Sequence, residues 1–241
     1  MTSSRRLCLI HTADMHDHLT PQKAERLREL KTERQALLLD CGDALQSPNL
    51  VAWPWPERAI RLMNHAGYDA MCAGNREYGL TRRWMIGKTG EASFPVVSAN
   101  LLPRGPKVPQ LHRWSILKSP DGLRVGVFGL TEPVIAIGSP WERVASHRFI
   151  DPLQAAGDAV AALRGQVDVL LALTHYGRRD EHRLAELCPE IDAILCGHWH
   201  VPEPSLRMVG NTALARTSHY AQGAAILTFD GTTWRQESEQ L

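Results

Sequence analysis

The chain has 241 residues, enough for one sizeable core, and its 44% hydrophobic and 22% charged shares are those of an ordinary globular protein. A formal net charge of +1 is too weak a field to recruit a nucleic-acid polymer or an anionic membrane, so neither is expected as a partner. No apolar run approaches the ~20 residues of a membrane helix, and too few apolar residues follow Arg5-Arg6 for a signal peptide, so a cytoplasmic location is expected.

In chain order, residues 7–10 read as a buried strand, and residues 21–33 as an amphipathic helix with a leading proline and Ala24, Leu27 and Leu30 on one face. A second apolar strand at 36–39 runs into Asp40-Cys41-Gly42-Asp43. Trp53-Pro54-Trp55-Pro56 is an aromatic loop that staples the following helix, 57–65. Residues 68–73 form a third strand that opens into the tight polar turn Gly74-Asn75-Arg76-Glu77-Tyr78-Gly79. A strand at 94–99 precedes a proline-rich surface loop at 102–109. Residues 112–118 and 123–130, separated by Pro120-Asp121-Gly122, form a hairpin or meander. Asp151-Pro152 opens a helix reaching about residue 164, 167–174 is a strand, 180–187 a short helix and 191–196 another strand. Residues 212–217 and 224–229 are β-like, and a short polar tail closes the chain.

Cys8, Cys41, Cys72 and Cys196 sit in or beside apolar strands without Cys-x-x-Cys spacing, and the total of five is odd, so buried reduced thiols are expected. There is no internal repeat, and the expectation is one domain over 1–241.

The strand exits share a chemistry. The first ends in Asp14 and His16, two apart, which converge just past the strand if the chain stays extended. Asp43, Asn75 and His175 follow three other strands, and His198 and His200 repeat the i, i+2 spacing after a fifth. All are oxygen or nitrogen donors, with no thiolate required. Such a set is too large for one tetrahedral ion and suits two divalent ions that share a carboxylate. His11 lies on the strand beside them, where a supporting hydrogen bond fits better than ligation.

These stretches, at 10–16, 38–43, 67–79, 94–100, 125–131, 173–177 and 197–200, resemble in order the calcineurin-like dinuclear metallophosphoesterases, in particular the catalytic domain of bacterial 5′-nucleotidases and cyclic-nucleotide phosphodiesterases. The resemblance implies an α/β fold, a four-layer sandwich of two mixed β-sheets flanked by helices. It implies that Asp14, His16 and His200 hold one ion, that Asn75, His175 and His198 hold the other, and that Asp43 bridges them. The ions would be two of Mn, Fe, Zn, Ni or Co, and the reaction hydrolysis of phosphate esters, as a phosphomonoesterase or phosphodiesterase, by a metal-activated hydroxide. A small phosphorylated substrate is implied, with nucleotides among the candidates.

Two departures from the family pattern stand out. The family places His directly after the turn Asn and Asp three residues later, in Gly-Asn-His-Glu-Phe-Asp, whereas this chain has Arg76 and Gly79. Arginine stays protonated and is a poor proton donor, although its fork clamps phosphate well, so Asp43, Asn75 and Arg76 become the expected catalytic set and good leaving groups the preferred substrates. The second is length: the expectation is that the catalytic core stands without the C-terminal domain that grips the nucleoside in full 5′-nucleotidases. His18, His219 and Tyr220 are candidate substrate-binding or proton-donating residues, and Trp53, Trp55 and Trp199 candidate stacking partners. Rival expectations are hydrolysis of a non-phosphate oxyanion ester, as in thiosulfate-ester hydrolases that share this fold and also replace that histidine, and a metal-binding module without catalysis.

Overall fold

The computed structural model describes residues 6–52, 55–201 and 203–241; Arg5, Trp53 and Pro54, named above, lie outside them. Strand β1 (Leu7–Thr12) is followed by α1 (Pro21–Arg34), β2 (Leu37–Asp40), α2 (Arg58–Ala66), β3 (Ala70–Cys72), α3 (Arg82–Thr89) and β4 (Val96–Val97). Then come β5 (Leu101–Pro103), β6 (Leu111–His112), β7 (Trp114–Lys118), β8 (Arg124–Thr131), β9 (His147–Phe149) and α4 (Pro152–Leu163). The chain continues through β10 (Val169–His175), α5 (Arg178–Leu187), β11 (Ala193–Cys196), β12 (Ser205–Val209), β13 (Thr212–Arg216), β14 (Gly223–Phe229) and β15 (Trp234–Gln240).

One sheet is ordered β15-β14-β1-β2-β3-β4-β6, the other β12-β13-β11-β10-β8-β7, and β5 pairs with β9 in a separate ribbon. Parallel neighbours run from β1 to β6 in the first sheet and through β8, β10, β11 and β13 in the second, with antiparallel strands β14 and β15 at one edge of the first and β12 and β7 at the two edges of the second. Period-two alternation builds three layers of core. Leu7 and Leu9 of β1 face the second sheet, where they meet Val127, Leu171 and Leu195. Cys8 and Ile10 face the opposite way, onto Leu27, Leu30 and Met63 of α1 and α2. Leu170, Ala172 and Ile194 turn outward onto Ala155, Ala159 and Leu184 of α4 and α5. The layers are helix, sheet, sheet, helix, as the sequence leads one to expect.

Helix starts follow side-chain chemistry. Thr20 caps α1 by accepting from the Lys23 N–H with Pro21 in the first turn, and Asp151 caps α4 by accepting from Gln154 N–H. All five cysteines are buried and free. Among the described residues no helix is long and apolar enough to cross a membrane.

Several expected elements differ. The expected polar tail is β15, an edge strand paired to β14 along its length and anchored by Trp234 stacked on Phe229; an edge strand with one solvated face carries no apolar alternation to read. Helix α3 goes unread because Met85 is its only buried apolar side chain. Strands β5, β9 and β12 also escape the sequence reading, and the strands expected at 68–73 and 94–99 shrink to three and two residues. Trp55 is 69% exposed and staples nothing.

Just past β4 the two sheets meet through backbone, Ala99 N–H donating to Gly129 O at 2.7 Å. A Cβ on Gly129 would lie 2.0 Å from the Val97 carbonyl oxygen, which is backbone and cannot swing aside. Gly129→Ala therefore costs about 3 kcal/mol of stability through overpacking, read as a lower urea midpoint at unchanged m-value.

Candidate metal centre

The parallel strands of both sheets deliver their C-terminal ends to one edge of the sandwich. Backbone hydrogen bonds tie the exits together: Asp14 N–H to Gly42 O, Gly197 N–H to Thr174 O and Tyr220 N–H to Asp14 O. The side chains do not converge by the pleat of an extended strand. Strand β1 stops at Thr12, and Asp14, His16, Asp43 and His198 all have left-handed backbones, with φ of 51°, 46°, 56° and 69°. Such conformations are disfavoured away from glycine, and here they turn four donors inward from tight bends.

The resulting cluster grades from open to buried. His16 Nε2 lies 3.0 Å from His200 Nε2, and the two lie 4.0 and 3.6 Å from Asp14 Oδ1. Deeper, His175 Nε2 is 3.0 Å from His198 Nδ1 and 3.5 Å from Asp43 Oδ1. Ligand atoms of Asp14, Asp43 and His175 lie within 4.8 Å of one another. Asp14 therefore belongs to both triads of ligand-type side chains, whereas the family pattern gives the bridging place to Asp43.

The donor set fits divalent cations. His175 Nδ1 lies 2.8 Å from Cys41 O, to which it can only donate, so Nε2 presents a bare lone pair to Asp43 and His198. Asn75 Oδ1 is buried without a hydrogen-bond partner. Burial lowers the pKa of His175, takes His16 down to about 4, and with His219 lowers His200, which favours the neutral form of these three imidazoles. Neutral imidazole nitrogens beside two carboxylates are a donor set suited to a divalent cation. The thiols are engaged elsewhere, Cys41 Sγ with Leu195 O and Cys72 Sγ with Leu130 O.

Two glycines and one carboxylate set the deep side. A Cβ on Gly42 would lie 2.7 Å from Gly74 N, and one on Gly74 2.5 Å from Asp43 N, so these loops pack back to back only with glycine at both places. Buried Glu77 accepts the N–H groups of Asp43, Ala44 and Gly74 at 2.8, 3.0 and 2.8 Å. Burial, with Asp43 beside it, pushes its pKa up to about 7, against the pull of those hydrogen bonds. The sequence reading passed over Glu77; its signal is an acid inside a glycine-bracketed turn whose backbone donors need an acceptor.

Arg76 donates its N–H to Asp43 Oδ1 at 2.8 Å, and its Nη1 to the carbonyls of Leu45 and Gln46, both at 3.2 Å. At Gly79, where the family pattern has Asp, a Cβ would meet Met85 N at 2.7 Å and Trp84 C at 2.9 Å. Helix α3 occupies the space a carboxylate there would need.

His219 stacks on His200 with centroids 4.6 Å apart, and the Tyr220 ring lies 5.4 Å from His16 and 5.2 Å from His200. Exposed His18 contacts the Tyr220 ring, 4.7 Å away, and Trp199 lies beside His198. His11 departs from expectation: it is fully buried and neither ring nitrogen has a hydrogen-bond partner, because its place on β1 points it between the sheets rather than toward the strand exits. A cavity of about 460 Å³ lined by Leu101, Val108, Trp114 and His147 contains none of the ligand-type residues.

The fold and the site together define an α/β/β/α protein with a cluster of nitrogen and oxygen donors at its strand ends that could hold a cation. The calcineurin-like phosphoesterase model matches residues 9–202, and the chain belongs to that family. It is 30% identical to the trifunctional nucleotide phosphoesterase protein YfkN of Bacillus subtilis, over 93% of this chain and 18% of that protein. A 5′-nucleotidase precursor from Thermus thermophilus superposes with a TM-score of 0.76 at 22% identity, covering 98% of this chain and 54% of the other. The sulfate thiohydrolase SoxB of the same genus superposes at 0.77 and 18% identity, with 97% and 56% covered. The chain thus spans a fraction of the YfkN relative and about half of each of these two solved chains.

Burial, then the Asp43 carboxylate, pushes the Asp14 pKa from its usual 3.8 up to about 8. A carboxyl raised in this way favours the folded state while protonated, and that contribution fades as pH rises from about 4 through 8. A bound cation replaces the proton. Mn or Zn should raise the melting temperature more at pH 8.5 than at pH 6, measured by calorimetry on metal-stripped and reloaded protein; equal increments would count against a cation at Asp14.

Proposed function

We propose that the chain is a hydrolase of phosphate esters that works with two divalent ions, drawn from Mn, Fe, Zn, Ni and Co. Asp14, His16 and His200 would hold one ion, Asn75, His175 and His198 the other, with Asp43 between them. The single observation that carries this reading is the convergence of His175 Nε2 with carboxylate oxygens of Asp43 and Asp14, all within 4.8 Å of one another, beside a turn whose Asn75 Oδ1 is buried and unpartnered.

When bound, such ions acidify water and neutralise the charge of phosphate oxygens. The chain's own residues supply the rest. Asp43 is fixed by the Arg76 N–H at its Oδ1 and by Glu77 at its own N–H, which holds it against rotation. Arg76 keeps Nε and Nη2 without a protein partner among the described residues, and it lies close enough to His16 and His200 to press their pKa values down. It binds phosphate oxygen as a permanent donor and does not protonate a leaving alkoxide. His219, Tyr220 and His18 form the open rim at His200, where the alcohol portion of a substrate would lie. The names of YfkN and of the 5′-nucleotidase neighbour support a nucleotide as that substrate.

Without a proton donor beside Asn75, leaving-group pKa governs the rate. Mn-loaded protein should hydrolyse aryl and cyclic phosphates faster than alkyl monoesters in a panel assay, and Asp43→Asn should lose more than about 100-fold of that activity. Arg76→His should move the alkyl-to-aryl rate ratio upward by about 10-fold at most, since no carboxylate orients the new imidazole. An unchanged ratio would remove Arg76 from the chemistry. A second reading, hydrolysis of a sulfur oxyanion ester, draws on Arg76 in place of histidine and on the SoxB fold; thiosulfate esters in the same panel separate the two.

A further inference from the structure

Lys88 lies in α3, outside the strand exits and the turn that carry the residues assigned above, and it is 1% exposed. Its Nζ donates to Arg76 O at 2.5 Å, Tyr78 O at 2.7 Å and Pro48 O at 2.7 Å. An ammonium has three donors and no acceptor, so the set is complete, and burial of the charge is tolerable only because each donor is met. Two of these carbonyls belong to the turn that carries Asn75 and Arg76. The third belongs to the loop whose Leu45 and Gln46 carbonyls grip the Arg76 guanidinium. One ammonium therefore joins the backbone that bears Arg76 to the loop that holds its side chain.

The polarity of this arrangement is reversed from that of a histidine dyad. An imidazole is oriented by a carboxylate that accepts its N–H. A guanidinium is all donor, so carbonyl acceptors orient it, and a buried cation can in turn hold their loop. The same helix shuts the alternative: Met85 N and Trp84 pack against Gly79 where an orienting carboxylate would be built.

We propose that Lys88 is the positioning residue for Arg76, locking the 74–79 turn to the 45–48 loop so that the free guanidinium nitrogens stay aimed at a substrate's phosphate oxygens. This rests on the phosphoesterase reading above. The test is a double-mutant cycle in the full chain: wild type, Lys88→Met, Arg76→Ala and the double variant, each Mn-loaded. Measured are kcat/KM on p-nitrophenyl phosphate and bis(p-nitrophenyl) phosphate, the Kd of inorganic phosphate, metal content, and amide hydrogen exchange over 75–80. Lys88→Met should lower kcat/KM and weaken phosphate binding by about 10-fold or more when Arg76 is present, and by less than about twofold when residue 76 is alanine, at unchanged metal content. Equal losses in the two backgrounds, or none, would overturn the proposal. If Lys88→Met does not fold, Lys88→Gln, which keeps two donors, carries the same cycle. A wild-type protein that cleaves neither ester would sink the hydrolase reading alone, and the coupling would then be decided by phosphate binding and by exchange at 75–80, which must accelerate in the Lys88 variant for the proposal to survive.

Discussion

Three backbone N–H groups directed at one buried carboxylate, Glu77, hold the deep half of the site in place. They come from two loops of different strands, one bearing Asp43 and the other opening the turn of Asn75, and the loops meet only because Gly42 and Gly74 lack side chains. Without that acceptor the three donors would be buried and unpaired, at a cost of about 1–3 kcal/mol each, and the loops would separate to reach water. The distance from Asp43 to Asn75 is thus set by a residue that need not itself touch a cation.

Around this clamp the structure collects interactions that are unfavourable in the protein alone. Two carboxylates offer oxygens within 4.8 Å of one another, and four donors sit on left-handed backbones. Folding energy from the three apolar layers of the sandwich offsets these terms. The arrangement is preorganised for positive charge, and the gradient from fully buried His175 to partly exposed His200 leaves one side open to a ligand.

Helix α3 packs against the turn that carries Asn75 and Arg76. It closes the space beside Gly79, offers Met85 Sδ to the Gly79 N–H, and sends Lys88 into the carbonyls of the neighbouring turn. Arg76 therefore sits in a local arrangement in which the donor, its carbonyl acceptors and the packing beneath them fit one another. Arg76 contributes fixed charge and directional hydrogen bonds, which suits binding an oxyanion better than moving a proton.

Much of this was legible in the chain order of residues. Apolar runs at β1, β2, β10 and β11 ending in Asp, His or Gly-Asp marked the strand exits, because strands buried on both faces must be continuously apolar and stop where polar donors begin. Asp14 and His16 do come together, but through left-handed bends and not as neighbours on an extended strand. Sequence by itself determined the apolar strands and the ligand-type side chains that follow them, because both depend on local pattern and on the chemistry of single residues, while the layer order was implied by the family resemblance. Only the tertiary structure decided that Glu77 and Lys88 hold the site, that α3 bars a carboxylate at position 79, and that His11 points away from the strand exits. Those outcomes depend on which groups from distant segments are buried against one another, and no periodicity in the chain encodes that.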